Sequence, residues 1–551
     1  MHCDLLIKNG TIVDGTGRPA FKGDVAVKDS RIYRVAGPGD NPGDSWEAMQ
    51  VVDAENLTVC PGFIDIHSHS DFLLPLNEHP EMLACLLEQG ITTIVGGNCG
   101  FSPAPLAEDS KHMDFVQRDF EFMSGKPLDI SWKSTGSYFS FLEERGLSLN
   151  LAQLTGHGTL RKSLCGTDYS FPGRDKMRQM CQIIEESFSE GSYGLSLGLG
   201  YDPGMFVVDM KELEEIAHLV KRHDRLLTVH LRALTCASPA YKSDFQVKPH
   251  DICALEEMIE LAEKTGVKIQ ISHLVFIGRN TWPSCDQALE MIERARSRGI
   301  DIAFDIFPYL CGNGTINSLL PLWFLKDPER NFKSSQSRQK LSAQWDIGWK
   351  ILGTGPEDCQ IMYGGYPELE KYNGLFIPEI ARMMNCSSSE VILSIAEMSR
   401  GSAVCLFYKF SGEENNDEVL IKVMKHPLCT FETDAIITPQ GKQHPAAFGA
   451  FPAVIQRYHK ERKIFSLEEA IAKMTGKSAE RMGIKDRGFL RAGCRADITL
   501  FDYNLIRDNT TSRNTSARPS GIKYVLVNGH EVVKEGRAIP GKKCGQVLKC
   551  C

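Results

Sequence analysis

Residues 61–71 read P-G-F-I-D-I-H-S-H-S-D, an apolar run ending in two histidines one residue apart, His67 and His69. Side chains alternate along a strand, so the two imidazoles fall on the same side. A strand that opens on Pro-Gly and ends in His-x-His has the form of a first barrel strand offering two imidazoles to one metal at its C-terminal tip.

The chain beyond it fits that reading. Eight stretches read as strands: 63–67, 91–95, 149–154, 193–197, 226–230, 267–272, 300–307 and 429–433. Stretches of helical period lie between most of them, for example 175–190, 210–223, 252–265 and 285–299. Strand and helix in alternation argue for parallel strands joined by helical crossovers. Eight such units predict an α/β fold, a TIM-type (β/α)8 barrel whose active site lies at the C-terminal strand ends.

The two ends of the chain read differently. Residues 4–13 alternate apolar and polar around Asn9-Gly10, a hairpin signal, and 24–35 do so around Asp29-Ser30. Residues 496–501 and 522–533 are again strands, the second pair folded at Asn528-Gly529. Neither end alone would bury both faces of its sheet. The expected organisation is a small β-sandwich domain built from residues 1–60 and 485–551 around a catalytic barrel at 61–484. About a hundred residues separate the seventh strand from the eighth, too many for a plain loop. An insertion at about 321–427, covering the active site, is expected there.

Composition narrows the function. With 551 residues and 42% hydrophobic content the chain can bury a large core, and a net charge of −8 gives no basic footprint for nucleic acid or anionic lipid. No apolar run approaches a membrane span, and the first residues, M-H-C-D-L-L-I-K, do not form a secretory signal. The 18 cysteines then read as reduced thiols of a cytoplasmic enzyme. Cys550-Cys551 is not a C-a-a-X box and reads as an exposed tail. The expected partner is a small-molecule substrate, neutral or handled with a metal; an oligomer stays open.

The strand tips carry the chemistry. Strand one ends in His67-Ser68-His69, strand two in G-G-N-C-G with Cys99, strand five in His230, strand six in His273 and strand eight in Thr433-Asp434. A lone histidine is more often a satisfied core or surface group than a ligand; the shared position is the signal. Unpaired cysteine is usually packing, but Cys99 stands among glycines and an asparagine with nothing to pack, where a thiolate ligand is the better reading. Imidazole and thiolate select zinc over hard cations. A metal lowers the pKa of water towards neutrality, and Asp434 can take the released proton and later give it to a leaving nitrogen. Amide hydrolysis suits such a site.

At this point the chain resembles the amidohydrolase superfamily, and within it the D-aminoacylase (N-acyl-D-amino-acid deacylase) branch, over nearly its whole length. The resemblance rests on D-L-L-I-K-N-G-T-I-V-D-G-T-G near the start, P-G-F-I-D-I-H-S-H-S-D, G-G-N-C-G-F-S-P-A-P, G-H-G-T-L-R at 156–161, V-H-L-R at 229–232, I-S-H at 271–273, F-P-Y at 307–309 and R-A-D-I-T-L-F-D near the end. It implies a zinc enzyme that deacylates N-acyl-D-amino acids or related compounds. Most of the superfamily bridges its metals with a carboxylated lysine; this branch supplies a cysteine. The resemblance further implies that Cys99, His230 and His273 hold a tight zinc, that His67 and His69 mark a second, weaker metal position, that Asp434 is both a metal ligand and the catalytic acid and base, and that Tyr309 helps bind substrate.

Two positions depart from the branch: its lysine after the strand-six histidine is here Val275, and its H-P-R after the catalytic aspartate is here His444-Pro445-Ala446. Those cations resemble the groups that hold the substrate's α-carboxylate. Arg279 and Lys442 are the nearest replacements in sequence, against the plainer reading of solvated loop charges. Two other functions compete: a cyclic-amide hydrolase of the hydantoinase and dihydroorotase type, which the cysteine disfavours, and a non-catalytic barrel scaffold, which the retention of every ligand disfavours.

Overall fold

The computed structural model describes residues 2–37, 47–108, 110–166, 171–201, 208–241 and 248–550. Eight parallel strands form the barrel wall, in order Phe63–Asp65, Ile91–Gly96, Asn150–Gln153 running on into Thr155–Gly156, Gly194–Gly198, Leu226–His230, Lys268–Ile271, Ile302–Ile306 and Cys429–Phe431. The ring closes where Asp434 N donates to His67 O at 3.0 Å and where the Asp65 carboxylate accepts Thr433 N and Oγ1 at 2.9 and 2.7 Å. Leu226–His230 is buried along its whole length, as a strand covered by helices outside and barrel core inside must be.

The crossover helices follow ordinary rules. In Met210–Arg222 the Asp209 carboxylate caps Glu212 N, Leu213, Ile216, Ala217 and Val220 make the buried stripe, and Lys221 and Arg222 occupy the last turn, where cations complement the helix dipole.

Both ends of the chain meet in one nine-stranded sheet. Its centre is the antiparallel pair Leu57–Pro61 and Ile498–Asp502, with His2–Ile12, Phe21–Lys28, Arg31–Ala36 and Glu47–Asp53 on the N-terminal side and Ile522–Val527, His530–Lys534 and Arg537–Ala538 on the other. Asp29-Ser30 and Asn528-Gly529 turn hairpins, each with both residues at positive φ, as a type I′ turn requires. Asn9-Gly10 does not. His2–Ile12 is a single strand whose register shifts between Ile7 and Gly10, a bulge at which only Asn9 has positive φ. Side chains of the neighbouring strands stabilise it: Asp24 accepts Asn9 N at 2.9 Å and Asp53 accepts Asn9 Nδ2 at 3.0 Å.

The C-terminal tail is not loose. Val547–Leu548 pairs in parallel with Asn150–Gln153 of barrel strand three, Leu151 N donates to Gln546 O and Cys550 N to Gly191 O, so the tail seals the wall beside strand three at its base. Cys551 lies outside the described residues.

Between barrel strands seven and eight the chain builds a module with its own core. Cys311–Thr315, Val404–Tyr408 and Cys359–Tyr363 form an antiparallel sheet, and helices Ser335–Leu352, Ile377–Met384 and Ser388–Met398 pack on it through Leu341, Ile361, Ile380, Leu393 and Cys405. The module is tied to loops at the C-terminal strand ends: Gly278 N donates to Lys409 O, Phe276 N to Ser411 Oγ, and Lys442 N to Met362 O. No helix of the described residues is long and apolar enough to cross a membrane.

Candidate metal and active site

The barrel brings the strand-tip residues together. Cys99 Sγ lies 3.3 Å from His67 Nε2, 3.7 Å from His230 Nδ1 and 3.4 Å from His273 Nε2, with 2.8 Å between the last two nitrogens. Asp434 Oδ1 stands 3.4 Å from His67 Nε2 and 3.2 Å from His69 Nε2. Donor atoms of His67, Cys99, His273 and Asp434 all lie within 4.8 Å of one another.

The backbone pays for this convergence. Cys99, His273 and Asp434 have φ of +54°, +33° and +46°, a region that side chains rarely occupy without surrounding support. The support is visible. The loop carrying Cys99 is held by Asp71, whose Oδ2 accepts Gly97 N at 2.8 Å, and by Ser196 Oγ, which accepts Gly100 N at 2.9 Å. Strand four passes so close that a Cβ on Gly198 would sit 2.1 Å from Cys99 O, so only glycine fits there. The backbone N of His273 donates to Asp305 Oδ1 at 2.7 Å.

The electrostatics favour a metal-binding thiolate. Burial opposes ionisation of Cys99, but the charges of His67 and His273 and hydrogen bonds from His230 and His273 hold the thiol well below its ordinary pKa. Burial likewise acts against Asp434, yet the His69 hydrogen bond and the His273 and His67 charges hold its carboxyl below the usual range.

The donor set fits a tetrahedral zinc. With Zn–S near 2.3 Å and Zn–N near 2.05 Å, a tetrahedron has S···N edges of roughly 3.6 Å. The three Cys99 separations, 3.3 to 3.7 Å, span that value, while His230 Nδ1 and His273 Nε2, 2.8 Å apart, would have to part to reach the roughly 3.3 Å edge between two nitrogens.

Three residues at the site carry no signal that sequence reading used. Tyr201, just beyond strand four, lies against His230 with ring centroids 4.2 Å apart and the planes tilted by 40°. Burial first, then the Cys99 and Asp434 charges and a hydrogen bond with Cys99, push its hydroxyl well above the usual tyrosine pKa, so it stays neutral. Tyrosine is not a metal-ligand type, so inspecting strand tips for ligands passes it by. Asp305 and Glu432 lie deeper, on the other side of His67, with Glu432 Oε2 3.0 Å and Asp305 Oδ1 3.6 Å from His67 Nδ1. Their sequence trace is a charged residue inside an apolar strand, A-F-D-I-F at 303–307 and C-T-F-E-T at 429–433.

The residues expected to bind substrate stand elsewhere or are engaged. Tyr309 is buried, and its hydroxyl donates to Asp508 Oδ2 at 2.9 Å. Arg279 is half exposed and forks onto Glu413 at 3.1 and 2.6 Å. Lys442 is half-buried, and its Nζ lies 3.4 Å from Arg513 O. Among the described residues neither cation has a hydrogen bond or ion pair with the cluster. Val275 and Ala446 are buried. His444 is taken up by the backbone, donating from Nε2 to Cys311 O at 2.8 Å and accepting Ala446 N at Nδ1 at 3.1 Å.

Comparison with known proteins agrees with this geometry. A family model described as "Amidohydrolase family" matches residues 50–310 and 423–533, more than half of the chain, and the gap between the matches is the inserted module. The chain is 29% identical to an N-acyl-D-glutamate deacylase of Alcaligenes xylosoxydans xylosoxydans over 99% of this chain and 96% of that one, and 27% identical to a D-aminoacylase of the same organism over 99% and 97%. It superposes on the crystal structure of an N-acyl-D-glutamate deacylase from Bordetella bronchiseptica, solved with zinc and a phosphonate inhibitor, with a TM-score of 0.80, 27% identity and full coverage of both chains. An L-hydantoinase from Arthrobacter aurescens, with a TM-score of 0.56, 16% identity and coverage of 99% of this chain and all of that one, shares the fold alone. A thiol-and-imidazole cluster at the strand tips of a (β/α)8 barrel, matched along the chain by these relatives, makes this protein a member of the amidohydrolase family, in the D-aminoacylase branch.

Proposed function

We propose that this protein is a zinc-dependent hydrolase of linear, non-peptide amides that removes the acyl group from N-acyl-D-amino acids or related N-acyl compounds. One observation carries the reading: a buried thiol at tetrahedral-edge distance from three imidazole nitrogens, with a carboxylate beside them. In this proposal Cys99, His230 and His273 hold the tighter zinc, and His67 and His69, with Asp434, a second, weaker position. Bound there, zinc supplies Lewis acidity to water and to an amide carbonyl.

The chain's own groups do the rest. Asp434 takes a proton from the attacking water as its oxygen bonds to the carbonyl carbon, and returns it to the nitrogen as the C–N bond breaks, releasing an amine and a carboxylic acid that then ionises, its proton going to the amine or to solvent. The Tyr201 hydroxyl, held neutral, donates to the carbonyl oxygen as it gains charge. Purified protein is expected to contain zinc and to release free amine from an N-acyl-D-amino acid or its neutral amide, while Cys99→Ala and His230→Ala lose the metal. Full zinc occupancy in both variants would remove the tight site from these residues.

The module is part of the same proposal, as an insertion at about 321–427 that covers the barrel mouth between a barrel at 61–484 and a terminal β domain. Its ties to the loops after strands six and eight support that role. Proteolytic cleavage within it should slow when a competitive inhibitor is bound; protection mapping to the terminal sheet instead would end the idea of a cover. A cytoplasmic location belongs to the proposal too, supported by the free thiols of the described cysteines.

A further inference from the structure

Beneath the cluster, on the side of His67 away from Cys99, two buried groups face each other, the His67 ring and the Glu432 carboxylate. No well-aligned hydrogen bond reaches either oxygen of Glu432 or His67 Nδ1 among the described residues, although Nδ1 and Glu432 Oε2 are only 3.0 Å apart and the Asp305 carboxylate interacts with both groups. Both residues are wholly buried. A buried carboxylate without a donor is costly, and an imidazole N–H without an acceptor is costly in the same way. Asp305, the other carboxylate nearby, is not in that position: its Oδ1 accepts His273 N and its Oδ2 accepts Gln270 Nε2 at 2.6 Å.

The ring of His67 therefore has two distinct ends. Nε2 faces Cys99 Sγ and Asp434, and Nδ1 faces Glu432. A metal at Nε2 needs the lone pair there and leaves the proton on Nδ1. A small rotation of the ring would then bring Nδ1–H onto the carboxylate it already touches.

Resting on the zinc reading of the cluster, we propose that Glu432 is the positioning residue of the His67 metal position, accepting the Nδ1–H of His67 so that Nε2 is fixed towards the metal. Carboxylates behind ligating histidines raise ligand basicity and lock ring orientation, and losing such a partner costs roughly 10–100-fold in metal affinity. Glu432 fixes the ring of His67, while Asp305 fixes the backbone of His273.

The proposal is tested by removing the more weakly held metal from the holoenzyme with a graded chelator, with Co(II) substituted for Zn(II) so that ligand-field absorption reports the His67 position. Glu432→Leu, which fills the volume and accepts nothing, should weaken that metal by roughly 10-fold or more and shift the Co(II) spectrum. Glu432→Gln keeps an acceptor oxygen and should lie near wild type. Glu432→Asp keeps the charge but withdraws the oxygen by one methylene, so it should weaken the metal even if Glu432→Leu fails to fold. A packing role alone would lower the melting temperature while leaving metal affinity and spectrum in place. Second-metal affinity within twofold of wild type in Glu432→Asp, or Glu432→Gln as damaged as Glu432→Leu, overturns the proposal. Cys99→Ala run in parallel separates the two readings. If it keeps all its zinc, the zinc assignment fails; if it loses the tight metal while Glu432→Asp is unaffected, only the role of Glu432 fails.

Discussion

Asp434→Asn is expected to fold, to keep most of its tightly held zinc and to lose turnover by at least about 10²-fold, the lower end of what general acid and base catalysis contributes. The exchange is nearly isosteric, and asparagine is among the few residues that tolerate positive φ, so the +46° backbone at this position adds no strain. The backbone contacts that hold residue 434 do not depend on its charge: its backbone N donates to His67 O, and the preceding Thr433 is pinned to Asp65. What changes is proton traffic. The carboxylate, held below its ordinary pKa, is available as a base across neutral pH, whereas an amide can neither accept the proton of the attacking water nor deliver it to the leaving nitrogen. Metal analysis and kcat on the same preparation decide the matter. Near wild-type kcat in a zinc-replete Asp434→Asn would move the base to another residue.

The legible part of this molecule was the part written in period and position. The eight barrel strands were readable because each is a short apolar run set between helical stretches, and the proposed ligand residues because they stand at or just past the ends of five of those runs. Tertiary context decided the rest. Asn9-Gly10 carries the residues of a hairpin, but the strand continues through it because Asp24 and Asp53 on neighbouring strands satisfy Asn9. The C-terminal tail reads as loose because its two-residue strand, Val547–Leu548, is defined only by its pairing with strand three. Glu432 and Asp305 were missed for a similar reason: a charged residue in a strand is silent until the fold shows that both face His67 Nδ1.

Substrate charge gives the second large effect. An N-acyl-D-amino acid carries a carboxylate to the barrel mouth, and a half-buried carboxylate needs a charged partner, each charge-assisted hydrogen bond contributing about 1.5–3 kcal/mol. The two positions where the resemblance implies cations carry Val275 and Ala446, both buried and apolar. The described cations nearby are committed: Arg279 to Glu413, Arg232 to Glu257, Lys162 to Asp119 and Arg457 to Asp508. The charges that act most strongly on Asp434 and Tyr201 come from the cluster itself. Among the described residues, a substrate carboxylate would have to break one of these ion pairs, turn to Lys442 or go without a charged partner. The expected result is a kcat/KM for an N-acyl-D-amino acid that is on the order of 10²-fold below what two such contacts would supply, and no better than that for its neutral primary amide. Arg279→Ala should leave the ratio of acid to amide unchanged, since the guanidinium already serves Glu413. Lys442→Ala is the sharper probe, because its ammonium contacts only the carbonyl oxygen of Arg513 among the described residues and could turn towards a ligand. A strong preference for the free acid that disappears in Lys442→Ala would identify that lysine as the missing partner. The same preference surviving both variants would rule out Arg279 and Lys442 alike as the missing partner. If the neutral amide is the better substrate, the specificity of this chain has moved away from free N-acyl amino acids while its metal chemistry has stayed in place.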